Sequence, residues 1–486
     1  MATEVDRGAA PQGWEVEQTG IEHVPDSARR GSPRDLFWPW AAANLSFFGI
    51  AYGVYIVGFG LSLWQSLVAA LVGALASFAL VGLVALAGTR AGAPTMTLGR
   101  APYGYHGNKL PTLFSYISLV GWETVLVSLA TLAAGTVLGR LTGGPTGNGV
   151  LAVAFVLTAL VTIVVGVYGY AVILRVQRWF TWTFVAMTIV YFAIMLPKLD
   201  LSAAAALPAG STASLLGAIA LTASGLGLGW VNCGADYSRY LPRSSAPAAV
   251  AGWTTFGASS APIVLMFFGV LLTASNPGLA DAAGADPVGA LAGPLPTWFL
   301  VPYLITAILG FVAGAIMDIY SSGLNLLALG VRIPRALAVL VDGVLMLLGG
   351  AYIVFFAPDF FGPFQAFLIS IGVVMASWAA VFLVDLLLHR GGGYAEDDLY
   401  RPSGVHGALN PAGATSLVVA SVIGLGTVTS FDPNVAKVLG FLLTDAARDG
   451  SVGASNLGVF LAFGLAAVLY AVLSTTVWRP RSRVAR

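Results

Sequence analysis

Charge is scarce in this chain. Only 9% of its 486 residues are charged, where a soluble domain carries roughly 25%. The deficit runs along the whole length and leaves no room for a second soluble domain. Cysteine is almost absent. The single Cys233 excludes an internal disulfide and any thiolate metal cluster. Histidine is nearly as rare, and His23, His106, His389 and His406 all fall in expected loops or termini. No intramembrane imidazole pair is left for haem or metal, which weighs against a membrane-embedded enzyme. Net charge is only +1, so nothing argues electrostatically for nucleic acid. The polar N-terminus lacks the basic-then-apolar layout of a cleavable signal peptide, so the first span is expected to be retained.

What is present is apolar: 57% of the residues are hydrophobic. A membrane span needs roughly 20 such residues, and about twelve segments qualify. The first five lie near 37–62, 64–88, 110–138, 149–170 and 178–197, and the next five near 214–237, 248–273, 297–328, 336–357 and 363–388. The last two lie near 413–431 and 455–477. The chain therefore reads as an all-α polytopic membrane protein. With the N-terminus in the cytosol, 19 of the 23 Lys and Arg residues fall inside, Arg7 and Arg479, Arg481, Arg483 and Arg486 among them. Only Arg140, Lys198, Lys437 and Arg448 fall outside. A miscounted span would scramble this ratio, so the positive-inside rule predicts an even count with both termini cytosolic.

Acids inside these apolar runs are costly and mark substrate or ion paths. Asp318 sits in Ile-Met-Asp-Ile-Tyr with no cation beside it, and Glu123 in Gly-Trp-Glu-Thr poses the same puzzle. Such acids make transport the leading reading. A channel is disfavoured, because no ring of pore-lining charge is visible. Two spans also carry poor helix formers. The first contains Ala43-Asn44-Leu45-Ser46 followed by Gly49 and Gly53; the sixth contains Ser224-Gly225-Leu226-Gly227-Leu228-Gly229-Trp230. Each glycine costs about 1 kcal/mol relative to alanine in a helix. Small residues also permit close helix packing. Their matching positions, at the start of each half of a five-plus-five arrangement, instead point to interrupted helices around a midplane site.

Several motifs resemble one family. Gly20-Ile-Glu-His-Val-Pro25 and Arg30-Gly-Ser-Pro-Arg-Asp-Leu-Phe37 lead into Trp40 and Asn44. Gly229-Trp-Val-Asn-Cys-Gly-Ala-Asp-Tyr-Ser-Arg-Tyr-Leu-Pro242 closes span six. Arg100-Ala-Pro-Tyr-Gly104, Gly121-Trp122, Asp385, Arg390 and the stretch from Tyr394 to Tyr400 follow in the same order. Together they resemble the purine–cytosine permeases of the nucleobase:cation symporter-1 family. The resemblance implies a LeuT-like fold with inverted repeats near 36–197 and 214–390. It also implies symport of a nucleobase or related heterocycle with H⁺ or Na⁺, and no cofactor. The remaining units would be a cytosolic arm at 1–35, a core at 36–390, a cytosolic loop at 391–412, accessory spans at 413–478 and a basic tail at 479–486. The location would be the cell membrane, and the partners the substrate and the lipid bilayer.

Substrate candidates follow from this. Trp122 lies roughly 18 Å into its span, near mid-bilayer. A tryptophan away from the interface fits stacking on a planar heterocycle, or filling a helix interface. Trp230 offers a second face, or packs on span one. Asn44 carries both a donor and an acceptor for a base edge, or holds the break open, and Ser46 is a weaker candidate of the same kind. Ser224 and Gly227 supply hydroxyl and backbone beside Trp230. Asp318 stands where fungal relatives carry an amide, and Leu126 replaces another amide, which leaves the base preference open. Glu123 is rotated about 100° from Trp122 and so faces another helix, as a coupling site or an anchor. Asp342 reads as a scaffold hydrogen bond, and Asp236 with Arg239 as a gate or loop anchor. A sodium site in this fold usually combines span-one carbonyls with span-eight hydroxyls. The run from Gly310 to Ala315 offers no Ser or Thr, so a proton is the favoured cation. The N-terminal arm is expected to be disordered up to about Glu22.

Overall fold

A computed structural model describes residues 17, 19–276, 278–356 and 360–478. Arg7, the four tail arginines and the 479–486 tail lie outside the described residues. Ten helices are long and apolar enough to cross a membrane. The bent pair Pro33–Asn44 and Phe48–Val57 makes an eleventh span, turning by 64° at its break. We number these spans in chain order. Span two is Leu63–Ala91, span three Lys109–Thr142, span four Asn148–Tyr168 and span five Tyr170–Met195. Span six runs over Thr212–Ser238 in several pieces. Spans seven to ten are Pro247–Ser275, Thr297–Ala328, Arg335–Phe355 and Phe361–His389. The expected span at 413–431 is a shorter helix, Pro411–Leu425, and the last span is Gly458–Thr476.

Local chemistry sets several boundaries. Spans one and two, fused in the hydropathy pattern, are parted by a turn that ends at Ser62. The Ser62 hydroxyl caps the Gln65 amide, and the Gln65 side chain returns to the Ser62 N–H. This reciprocal capping satisfies donors that would otherwise be orphaned. Gly92 closes span two at φ 62°, a left-handed conformation that glycine adopts without a Cβ penalty. Gly169, at φ 88°, is the whole connection between spans four and five. Span five therefore starts at Tyr170 rather than near 178, and Arg175 and Arg178 lie inside its first turns. His389 is also a helix residue. It ends span ten and bonds Ser474 of the last span at 3.0 Å.

The spans form three packed groups. Spans one, two, six and seven pack on one another, as do three, four, eight and nine. Span ten packs with the short helix and the last span, and also touches span six. Span seven crosses the second half of span one so closely that only glycine fits. A Cβ at Gly269 would lie 2.0 Å from the Ile50 carbonyl oxygen, and one at Gly53 2.2 Å from that of Met266.

The described N-terminal segment docks on one face of the bundle, here termed the arm face. His23 Nδ1 meets the Ala91 carbonyl at 2.7 Å, and Arg90 reaches the Arg390 carbonyl. Since span ten ends beside Ser474, both described ends of the chain share this face. Arg140 and Lys198, by contrast, bond loop carbonyls at Ala292 and Pro294 on the opposite face. The arm is packed well before Glu22: Glu17 is fully buried. Its partners lie 151 or more residues away in sequence, so local composition could not reveal them.

Gly269→Val forces the Ile50 carbonyl away. Overpacking of this kind typically costs about 1–3 kcal/mol. The purified, detergent-solubilised variant is expected to melt several degrees below the wild type, and an unchanged melting curve would contradict this crossing.

Candidate functional site

Two helix breaks meet at the centre of the bundle. In span one Leu45 leaves the helical region (φ −90°, ψ 83°) and Phe48 restarts the helix. In span six the break falls at Leu226 (φ −116°, ψ −102°). Each break frees backbone groups that an unbroken helix would have paired. Ser46 and Phe47 donate no backbone N–H bond. The second half of span one thus opens with bare donors and the positive end of its helix dipole.

A small cavity lies between the breaks. Span one lines it with Ala43, Asn44, Ser46, Phe48, Gly49 and Tyr52. Span three adds Trp122 and Leu126, span six Gly225, Leu226 and Trp230, and span seven Pro262. Its volume is about 40 Å³. Ligand pockets usually measure about 300–1,000 Å³, so the site has no room for a ligand until its walls move apart. Trp122 meets Phe364 and Phe367 edge-on at 5.7 and 6.0 Å. Trp230 meets Trp40 edge-on at 5.8 Å. The Asn44 amide donates to the Trp40 carbonyl at 2.9 Å, which holds the first half of span one against the break. Tyr52 ties the two breaks together, its hydroxyl donating to the Gly225 carbonyl at 3.1 Å.

Asn44, Ser46, Trp122 and Trp230 therefore come together, and Leu126 joins them one turn beyond Trp122. Three other candidates lie off the cavity. The Ser224 hydroxyl faces Gly372 of span ten and is buried without a hydrogen-bond partner. The Gly227 N–H donates to the Ser77 hydroxyl of span two at 3.1 Å. Asp318 lies on the face of span eight that carries Gly310 and Gly314, one turn further towards the arm face. Gly310 abuts the Leu45 carbonyl, and Gly314 abuts Leu126 and the Ala43 carbonyl. Asp318 is buried, and neither carboxyl oxygen has a hydrogen-bond partner.

Glu123 points away from the cavity, as its helical offset from Trp122 requires. It accepts from the Ser322 hydroxyl of span eight at 2.6 Å. Asp342 of span nine is also within 3.0 Å of that hydroxyl, and it accepts from Tyr116 at 2.6 Å.

Asp236 and Arg239, read from sequence as a gate or loop anchor, bond different partners. Asp236 accepts from the Thr95 N–H and hydroxyl, both at 2.7 Å. Arg239 turns instead to the arm, meeting Glu17 at 3.4 Å and the Gly20 carbonyl at 2.7 Å. Tyr240 and Tyr320 also donate to Glu17, and Arg335 reaches its carbonyl. Sequence reasoning missed Tyr52 and Glu17. A buried tyrosine hydroxyl must find a partner, which was the available signal for Tyr52. Glu17 gave none.

A family model described as a permease for cytosine/purines, uracil, thiamine and allantoin matches residues 23–453. The chain belongs to this family. The putative purine-cytosine permease YxlA of Bacillus subtilis (strain 168) is 28% identical over 432 residues, which cover 86% of this chain and 89% of that protein. Among solved structures, Mhp1 is a nucleobase-cation-symport-1 family transporter, solved closed with bromovinylhydantoin bound. It is similar at a TM-score of 0.72 with 18% identity, over 96% of this chain and 97% of that one. A Na⁺-coupled sialic acid symporter is similar at 0.65 with 12% identity, over 97% and 94% of the two chains. The permease therefore has the LeuT-like fold and is a multi-pass secondary transporter, not an enzyme.

In this permease the Glu17–Arg239 pair is wholly buried. Removing one partner of such a pair costs about 3–5 kcal/mol, because the other charge is left uncompensated. Glu17→Ala is expected to lower the melting temperature of the purified protein by several degrees. A variant as stable as the wild type would show the pair to be dispensable.

Proposed function

We propose that the permease imports a nucleobase, cytosine or a purine, together with a proton. The observation that carries this reading is the small cavity where Trp122 of span three and Trp230 of span six meet the bare span-one backbone at Ser46 and Phe47. Aromatic faces suit a planar ring, and Asn44, Ser46 and the free N–H groups suit its polar edge. Ser224 and Gly227 stay in this proposal as supports of the span-six break rather than as direct contacts. The cavity must widen to accept a base, so binding and closure are one event. Spans one, two, six and seven would rock against three, four, eight and nine, which matches the packing groups and the five-plus-five inverted repeat expected from sequence.

The proton reading rests on span eight. The Leu45 and Ala43 carbonyls meet it at Gly310 and Gly314 respectively, where span eight itself carries no Ser or Thr. The Ala313 carbonyl is already taken by the Gln177 amide at 2.7 Å. Oxygen ligands for sodium are thus few at this level, while buried acids are at hand in Asp318 and Glu123. Asp318, one turn from Gly314, would meet a ring N–H or an exocyclic amine when the cavity opens. With the arm face in the cytosol of a cell-membrane transporter, Asp236 and Arg239 would hold the inner gate through Thr95 and Glu17.

A second reading keeps the mechanism and changes the cargo. Leu126 lines the cavity where an amide would read a base, and Asp318 adds a carboxyl. Both fit another heterocycle, such as allantoin, uracil or a vitamin-like amine.

Uptake of labelled cytosine into cells expressing the permease tests both readings, with adenine, hypoxanthine, uracil, allantoin and a pyridoxine-like compound as competitors. Cytosine uptake blocked by purines, indifferent to replacement of sodium by choline and abolished by a protonophore is expected. No cytosine uptake under any condition would remove the base assignment, and dependence on sodium would remove the proton. Trp122→Ala should lower the apparent affinity roughly five- to 150-fold, since base–aromatic stacking is worth about 1–3 kcal/mol. Trp122→Phe should retain most of it.

A further inference from the structure

Three acids from three spans converge beside the cavity wall, and one hydroxyl stands among them. Glu123 Oε1 lies 2.6 Å and Asp342 Oδ2 3.0 Å from the Ser322 hydroxyl oxygen. Tyr116 donates to the other Asp342 oxygen at 2.6 Å. Glu123 and Asp342 are both completely buried.

Counting hydrogens decides the state of this group. A serine hydroxyl has one hydrogen to donate, and an ionised carboxylate only accepts. Ser322 therefore cannot satisfy both carboxylates if both are ionised. With one added proton every contact closes. Glu123 donates to Ser322, Ser322 donates to Asp342, and Tyr116 donates to Asp342 from the other side. Transfer of the Glu123 proton to the Ser322 oxygen, with the Ser322 proton passing on to Asp342, reverses the chain and leaves the added proton on Asp342 with no heavy-atom displacement.

The surroundings favour one proton over a salt bridge. Glu123 Oε2 has no partner, and neither has either oxygen of Asp318, which is 1% exposed and close enough to act electrostatically on Glu123. Among the described residues no Lys, Arg or His side chain bonds any of the three acids. The Cys233 thiol of span six donates to the Trp230 carbonyl at 3.2 Å. Arg335, on the span that carries Asp342, is engaged elsewhere by the Gly166, Val167 and Glu17 carbonyls. Span ten presents Phe364 and Phe367 to Trp122, and span four presents Ile163 to Gly343; none of these titrates.

We propose that Glu123 and Asp342 hold a single proton between them through Ser322, and that this shared proton is the one the permease carries with its substrate. The proposal rests on the proton-coupled reading above and narrows it. Asp318 then belongs to the substrate side, and the cation to the pair behind Trp122. Loading forms one O–H bond on the pair with a proton drawn from water, and release breaks the same bond. Glu123 directly follows Trp122 in span three, so a shift of the ring on binding is transmitted to the acid beside it.

Infrared spectra of the reconstituted full-length protein read the proton without any substrate. The wild type should show a hydrogen-bonded carboxylic C=O band. Glu123→Gln and Asp342→Asn should each abolish it, because the amide N–H₂ supplies the donor that the proton supplied. Asp318→Asn should leave it in place, removing at most a separate band of a carboxyl without hydrogen bonds. A wild type without the band, or both amide variants retaining it, overturns the proposal.

Proteoliposomes with a pH dye inside give the second readout, with whichever of cytosine, hypoxanthine, uracil or allantoin the uptake screen identifies. Glu123→Gln should lose gradient-driven accumulation at least tenfold while exchanging labelled for unlabelled substrate across the membrane. Accumulation by Glu123→Gln equal to the wild type overturns the coupling role. If the wild type itself moves no protons but shows the band, the proton-coupled reading has failed, and the shared proton stands as a structural feature only.

Discussion

Everything central to this permease depends on unpaired backbone in an apolar bundle. A helix satisfies its own N–H and C=O groups, which is why it can cross a membrane at all. Spans one and six give up that self-sufficiency at Leu45 and Leu226. The freed groups must find partners inside the protein. Tyr52 takes the Gly225 carbonyl, Ser77 takes the Gly227 N–H, and Asn44 braces the first half of span one through Trp40. What remains unpaired faces a cavity lined by two tryptophans. The polarity of the site is a residue of this incomplete satisfaction, not of charged ligands.

A second constraint acts where charges are taken out of water. On the arm face Glu17 neutralises Arg239, and three tyrosine and arginine side chains close around them. Spans six, eight and nine meet at that point, one from one packing group and two from the other. Glu123, Asp318 and Asp342 bond no such cation among the described residues. Tyr116 and Ser322 supply hydroxyls in their place, and Asp318 has neither. The two solutions differ in consequence: a paired charge fixes a position, while a carboxyl among hydroxyls leaves room for a proton to come and go.

The fold was largely readable. Low charge and long apolar runs marked the membrane class. The glycine run of span six and the Asn44 region of span one marked the breaks because poor helix formers have few other uses at those positions. Trp122 and Trp230 were readable for a related reason, being large rings where an interface residue is out of place. Boundaries were less secure. Gly169 joins spans four and five with one residue, and hydropathy smooths over so short a turn. Ser224 faces span ten rather than the cavity, since a broken helix loses the angular register that predicts facing.

The sequence alone determined the class, the positions of the breaks and the family, because each follows from local composition and from motifs in order. The tertiary structure decided which groups meet. The single donor of Ser322 lies 199 residues from Glu123 and 20 from Asp342, and Glu17 lies 222 residues from Arg239. A buried polar group takes whichever partner the packing brings within about 3 Å, and no periodicity in the chain records that choice.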